Sequence, residues 1–100
     1  MYTQKQILNF LSKSKPILHK EFHISKIGLF GSFARNEQSI NSDIDLVVEF
    51  EENTEDLFDI KIALKNFFRK NLNIEADICR EKYLKLRYKN RILNEAIYVD

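Results

Sequence analysis

From Ile24 to Phe50 the chain reads ISKIGLFGSFARNEQSINSDIDLVVEF, and its two apolar stretches carry different signatures. Ile24 to Phe30 is mostly apolar and stops abruptly at Gly31, the pattern of a buried strand running into a turn. The second stretch alternates. Ile44, Leu46, Val48 and Phe50 share one parity, and Asp43, Asp45, Val47 and Glu49 share the other. Successive side chains of a strand point to opposite faces, so the apolar set marks the core face and Asp43 and Asp45 leave it together.

Helical spacing surrounds this pair of strands. Thr3 is an N-cap for a helix bearing Ile7, Leu8 and Leu11 on one side. Ser12 to Lys15 reads as a polar break, and Pro16 as the first turn of a second helix that carries Ile17, Leu18 and Phe22 inward. Asn36 to Ser42 is a polar loop. Leu57, Ile60, Ile62, Leu64, Phe67 and Phe68 recur at roughly helical intervals, with Thr54 as the expected cap and Lys70-Asn71 as the end. A further strand follows over Asn73 to Cys79, with Ile74, Ala76 and Ile78 on one parity and Glu75 and Asp77 on the other. If its apolar parity packs on the same helices as Ile44 and Leu46, Asp77 joins the face of Asp43 and Asp45. Glu75 is the competing carboxylate, and an outward acid on an edge strand also serves solubility.

Composition narrows the picture. One hundred residues, 44% hydrophobic and 31% charged, predict a single folded domain over 1–100. A net charge of +1 gives no general attraction to nucleic acid. No apolar run reaches transmembrane length and no secretory leader is visible, so the cytoplasm is the expected location. Cys79 is the only cysteine, which excludes an internal disulfide and a cysteine-based zinc cluster, and it reads as a lone buried thiol. His19 and His23 lack metal-ligand spacing to a third group. Charge is uneven: acids crowd Glu49 to Asp59, whereas Arg80, Lys82, Lys85, Arg87, Lys89 and Arg91 form a basic run interleaved with Tyr83, Leu84, Leu86 and Tyr88. That run is either the wet face of a helix or a contact surface.

The candidate chemistry lies in Gly31-Ser32, ten intervening residues, and Asp43-Ile44-Asp45. Small residues at the end of a strand let backbone N–H groups approach an anion such as a phosphate, and Ser32 adds a hydroxyl donor. Two adjacent carboxylates repel each other unless a cation lies between them. Hard oxygen donors of this kind suit Mg²⁺ or Mn²⁺, held by a few carboxylates together with substrate phosphates, which a nucleoside triphosphate supplies.

These residues resemble the core motif of the DNA polymerase β-type nucleotidyltransferase superfamily. Nearly the whole chain is similar to its smallest branch, the minimal nucleotidyltransferase antitoxins, which pair with HEPN-domain toxins. The resemblance implies an α/β (α+β) fold, a small mixed sheet of about three strands flanked by helices. It implies Asp43, Asp45 and Asp77 as catalytic carboxylates and as ligands of Mg²⁺ or Mn²⁺. Gly31 and Ser32 would hold the triphosphate of ATP, and Arg35 either touches phosphate or braces a carboxylate such as Glu37. The implied reaction is AMP transfer from ATP to a tyrosine of the toxin. One departure stands out: the family commonly has Arg-Gly-Glu where this chain has Arg35-Asn36-Glu37, and asparagine is suited to the left-handed turn that glycine would make. Two other readings stay open: an antitoxin acting by contact alone, and a nucleotidyltransferase with a small-molecule acceptor. Enzymes of the latter kind usually carry a second domain that is missing from this sequence.

Overall fold

The two strands on either side of the Gly31 turn pair with each other directly. In the computed structural model, which describes residues 1–99, β1 (Ile24–Phe30) lies antiparallel to β2 (Ile44–Phe50). A third strand, β3 (Ala76–Arg80), runs parallel to β2, and a short β4 (Ile97–Tyr98) runs antiparallel to β1. The order is β3-β2-β1-β4, a mixed four-stranded sheet where about three strands were expected. The additional strand has two residues, too few for alternation to announce it.

Parity along the strands sorts the two faces as the sequence implies. Ile27, Leu29, Ile44, Leu46, Val48, Phe50, Ala76 and Ile78 are buried in one core cluster. Two long helices cover that face: α1 (Gln4–Phe22) supplies Ile7, Leu11, Leu18 and Phe22, and α3 (Leu57–Leu72) supplies Leu64, Phe68 and Leu72. Between them in sequence, a single turn of helix, α2 (Gly31–Ala34), directly follows β1. After β3 come a 3₁₀ turn (Glu81–Tyr83) and α4 (Leu86–Glu95), none of whose residues is fully buried. No helix among the described residues is long and apolar enough to cross a membrane.

Thr3 caps α1 as its position predicts. Its hydroxyl accepts from the Gln6 N–H at 3.1 Å while the Gln6 side chain accepts from the Thr3 N–H at 2.9 Å, a reciprocal pair that satisfies two otherwise orphaned donors. Thr3→Ala is expected to lower stability by about 1 kcal/mol, measured as a fall in the urea midpoint. An unchanged midpoint would show that the cap contributes nothing here.

The expected break before Pro16 is absent, and α1 passes through it as one helix. The buried positions Ile7, Leu11, Ser14, Leu18 and Phe22 follow one another at three- and four-residue intervals, so a single stripe faces the sheet along the whole length. Pro16 lies off that stripe, exposed to water, and packing on the stripe outweighs the roughly 3 kcal/mol that an interior proline costs. Ile17, expected to point inward, is exposed for the same reason. In α3 the start also differs. Thr54 is not its cap: the Thr54 hydroxyl donates to the Glu51 carbonyl at 2.6 Å within a turn, and Asp56, in a left-handed conformation, begins the helix. Ile62 is exposed, and the helix ends at Leu72 with Asn73 in the left-handed region at φ 53°.

Candidate active site

At the end of β1 the chain turns at Gly31 with φ +75°, a conformation that glycine adopts without steric cost. The sheet register sets Phe30 opposite Asp45, which brings the Asp45 side chain against the Gly31 backbone. A β-carbon at Gly31 would overlap the Asp45 carboxylate, lying 2.9 Å from its Cγ. Glycine is therefore required here twice, by the backbone angle and by the close approach of an acid.

The parallel pairing of β2 with β3 sets Asp45 directly opposite Asp77. Asp43, one residue ahead of β2, is exposed beside them. The three acids act on one another. Burial, then the charges of Asp77 and Asp43, push the Asp45 carboxyl up to about 6, with Arg35 pulling in the opposite direction. Burial is the larger cause, and the neighbouring acids add a negative field that a cation would offset. Carboxylate oxygens are hard donors of the kind a divalent ion takes, and Asp43, Asp45 and Asp77 are the acids of this neighbourhood that could contribute them. Among the described residues no group of three acidic, histidine or cysteine side chains closes on one point as a complete ligand cluster.

Glu75 is engaged elsewhere. Its two carboxylate oxygens accept from Arg69 Nε and Nη2 at 2.8 Å each, which ties it to α3 and draws its carboxyl below the usual range. Of the two acids in this segment, only Asp77 stands in register with Asp45.

Around the turn, Ser32 and Phe33 continue into α2 and the chain reverses at Asn36, whose φ of 58° is left-handed. The Glu37 N–H closes the turn by donating to the Ser32 carbonyl at 2.8 Å, so asparagine performs the conformational task expected of it. Arg35 lies between two carboxylates: Nε donates to Glu37 at 2.6 Å and Nη1 to Glu95 at 2.6 Å. The bracing role considered for Arg35 is thus present, with Glu95 as an additional partner that the sequence did not suggest. One signal for Glu95 was available. It is an acid at the C-terminal end of a helix, where the dipole disfavours negative charge, and such a residue calls for a compensating partner.

Cys79 lies half-buried on the Asp77 parity, and burial followed by the Asp77 charge raises its thiol pKa, keeping it protonated. Beside it runs an open groove of about 630 Å³, bordered by Lys61, Arg80, Tyr83, Lys85 and Tyr88. A smaller cleft of about 200 Å³ adjoins the turn itself, between Gly31, Arg35, Tyr88, Arg91 and Glu95.

Residues 6–99 match the nucleotidyltransferase domain family. The chain belongs to that family. A candidate protein adenylyltransferase of Methanocaldococcus jannaschii is 38% identical over 100 residues, covering 99% of this chain and 100% of the relative. The protein adenylyltransferase MntA of Thermococcus cleftensis is 32% identical over 99 residues, covering 99% and 98%. Among solved structures, a candidate minimal nucleotidyltransferase superposes with a TM-score of 0.77 at 29% identity, covering 96% of this chain and 95% of its own. A toxin–antitoxin structure with AMP-PNP shares the fold, with a TM-score of 0.65 at 18% identity, over 97% of this chain and 72% of the other. The mixed sheet flanked by helices is accordingly a nucleotidyltransferase fold. Within this nucleotidyltransferase domain, Gly31, Asp45 and Asp77 are brought into one neighbourhood by strand register, while Asp43 borders it and Arg35 lies beside the Gly31 turn, tied to Glu37 and Glu95.

Proposed function

We propose that this nucleotidyltransferase is an antitoxin that transfers AMP from ATP to a tyrosine of a HEPN-type toxin ribonuclease and thereby silences it. The observation that carries this reading is the register pairing of Asp45 with Asp77 beside the Gly31 turn, which gathers carboxylates next to a place suited to phosphate. Gly31 and Ser32 seat the triphosphate. Asp43, Asp45 and Asp77 would hold Mg²⁺ or Mn²⁺, which would supply charge neutralisation for the phosphates and the departing pyrophosphate. The tyrosine oxygen attacks the α-phosphorus, the bond to the pyrophosphate oxygen breaks, and the hydroxyl proton passes to a carboxylate, a role this reading gives to Asp77, which is exposed. ATP consumption suits a cytoplasmic protein.

Support for the substrate and partner comes from the relatives. One is named a protein adenylyltransferase, and folds of the same kind occur in toxin–antitoxin structures, one of them with AMP-PNP. The surface agrees with a protein acceptor. Phe58 and Tyr83 are 76% and 68% exposed and line the groove beside Cys79 together with Tyr88, with Lys61, Arg80 and Lys85 around them. The same patch favours a second reading, in which contact alone neutralises the toxin.

Intact-mass spectrometry of the partner after incubation with this chain, ATP and Mg²⁺ separates these readings. The expected result is an added AMP on a partner tyrosine. An unmodified partner that is nevertheless fully silenced would replace catalysis by contact, and failure to form a complex would return attention to a small-molecule acceptor. Within the same assay, Asp77→Ala is expected to slow transfer by about 10²-fold or more, whereas Glu75→Ala should change it little because its charge is spent on Arg69. The opposite ranking would transfer the third carboxylate role to Glu75.

A further inference from the structure

Glu95 closes α4 at the end where a carboxylate opposes the helix dipole, yet its side chain is only 15% exposed. Its two oxygens are both engaged across the domain. Oε2 accepts from the Gly31 N–H at 3.0 Å, and Oε1 accepts from Arg35 Nη1 at 2.6 Å. Burial alone would raise its carboxyl, but the bonds from Arg35 and Gly31 outweigh it and keep the group ionised. Gly31 is consequently bonded by Glu95 at its N–H and faced by the Asp45 carboxylate where a β-carbon would lie. Arg35 is likewise fixed between Glu95 and Glu37.

The rest of α4 gives this contact unusual weight. With no fully buried residue, the helix has little packing to locate it, and the Glu95 bonds are a direct polar tie from α4 to the turn. We infer that Glu95 is a positioning residue for nucleotide binding: it fixes the Gly31 turn and the Arg35 guanidinium in the arrangement that receives the triphosphate, and couples that arrangement to the seating of α4. The inference rests on the nucleotidyl-transfer reading above and assigns no contact between Glu95 and substrate.

Glu95→Gln is the first test. The amide oxygen still accepts from the Gly31 N–H, but the charge that anchors Arg35 is gone. Glu95→Ala removes both bonds. Three readouts are taken on each chain: the Gly31 amide signal by NMR, the affinity for ATP with Mg²⁺ by calorimetry, and kcat and KM for AMP transfer. The expected result is a shifted Gly31 amide, Mg²⁺-ATP binding weakened about tenfold in Glu95→Gln and further in Glu95→Ala, and a rise in KM that exceeds the fall in kcat. Adding Arg35→Ala to Glu95→Ala should cost less than Arg35→Ala costs alone, as expected of groups acting through one another.

A folded Glu95→Gln that binds Mg²⁺-ATP as well as the wild type overturns the inference and leaves Glu95 a support of the fold. Tighter binding also overturns it, because Glu95 would then be a tethered competitor for the phosphate seat. If Glu95→Ala fails to fold, Glu95→Gln decides. Absence of Mg²⁺-ATP binding by the wild-type chain would instead strike the nucleotidyl-transfer reading, and the positioning role would fall with it.

Discussion

Replacing Asp43 and Asp45 together by asparagine is expected to abolish AMP transfer while leaving the fold at least as stable as before. The two acids lie outside the apolar core, and Asp45 is held near like charges at Asp77 and Asp43. Burial first, and then those charges, push its carboxyl up to about 6 from the ordinary 3.8. The sign follows from the raised value. Folding favours the protonated form, so the contribution to stability is complete below the ordinary value and is lost as the pH rises through about 6. At neutral pH, without metal, ionised Asp45 therefore destabilises the chain. A shift of this size corresponds to about 3 kcal/mol at full strength, and its partial exposure to solvent discounts that to about 1 kcal/mol. Urea titrations in chelator should show the double variant slightly more stable than the wild type at pH 7, with the advantage vanishing near pH 4. A variant that unfolds, or one that still transfers AMP, would mean that these acids serve the fold rather than the chemistry.

The other large effect belongs to Gly31. Gly31→Val places a β-branched residue at φ +75° and drives its Cβ into the Asp45 carboxylate. Backbone strain and overpacking together should cost about 3 kcal/mol or more, a large fraction of the stability of a domain this size, and transfer should be lost with it. A thermal melt and the mass-spectrometric assay read the two consequences separately. Combining Gly31→Ala with Asp45→Ala removes the overlapping carboxylate, so part of the stability should return while activity does not. Wild-type behaviour in Gly31→Val would contradict the close approach on which the site depends.

How far the sequence revealed this arrangement differed from element to element. The alternation in β2 was readable because one face is core and the other is not, and a single slip in register would have buried Asp45. The position of Asp77 opposite Asp45 was readable from the same alternation, and the sequence preferred it to Glu75 through the family resemblance; the structure adds that Arg69 engages Glu75. The Thr3 cap followed from local chemistry. Pro16 misled because its cost is local, whereas the stripe from Ile7 to Phe22 that outweighs it is a property of the whole helix. The strand β4 escaped notice because it is only two residues long. The role of Glu95 was missed because its partners lie 60 and 64 residues away, and the local signal, an acid at a helix C-terminus, does not name them.

The contrast between β2 and α4 bears on how the domain comes apart. Ile44, Leu46, Val47 and Val48 have essentially no exposure, and β2 is hydrogen-bonded on both sides by β1 and β3. Local opening is governed by such burial, so amide protons in β2 should exchange only with global unfolding, whereas those of α4 should exchange through low-energy excursions. Asp45 is thus anchored in the last segment to let go, and Glu95 rides on one of the first. The clustered carboxylates and the helix that borders them belong to regions of unequal cooperativity, which leaves α4 free to detach and reseat without dismantling the acids beneath it.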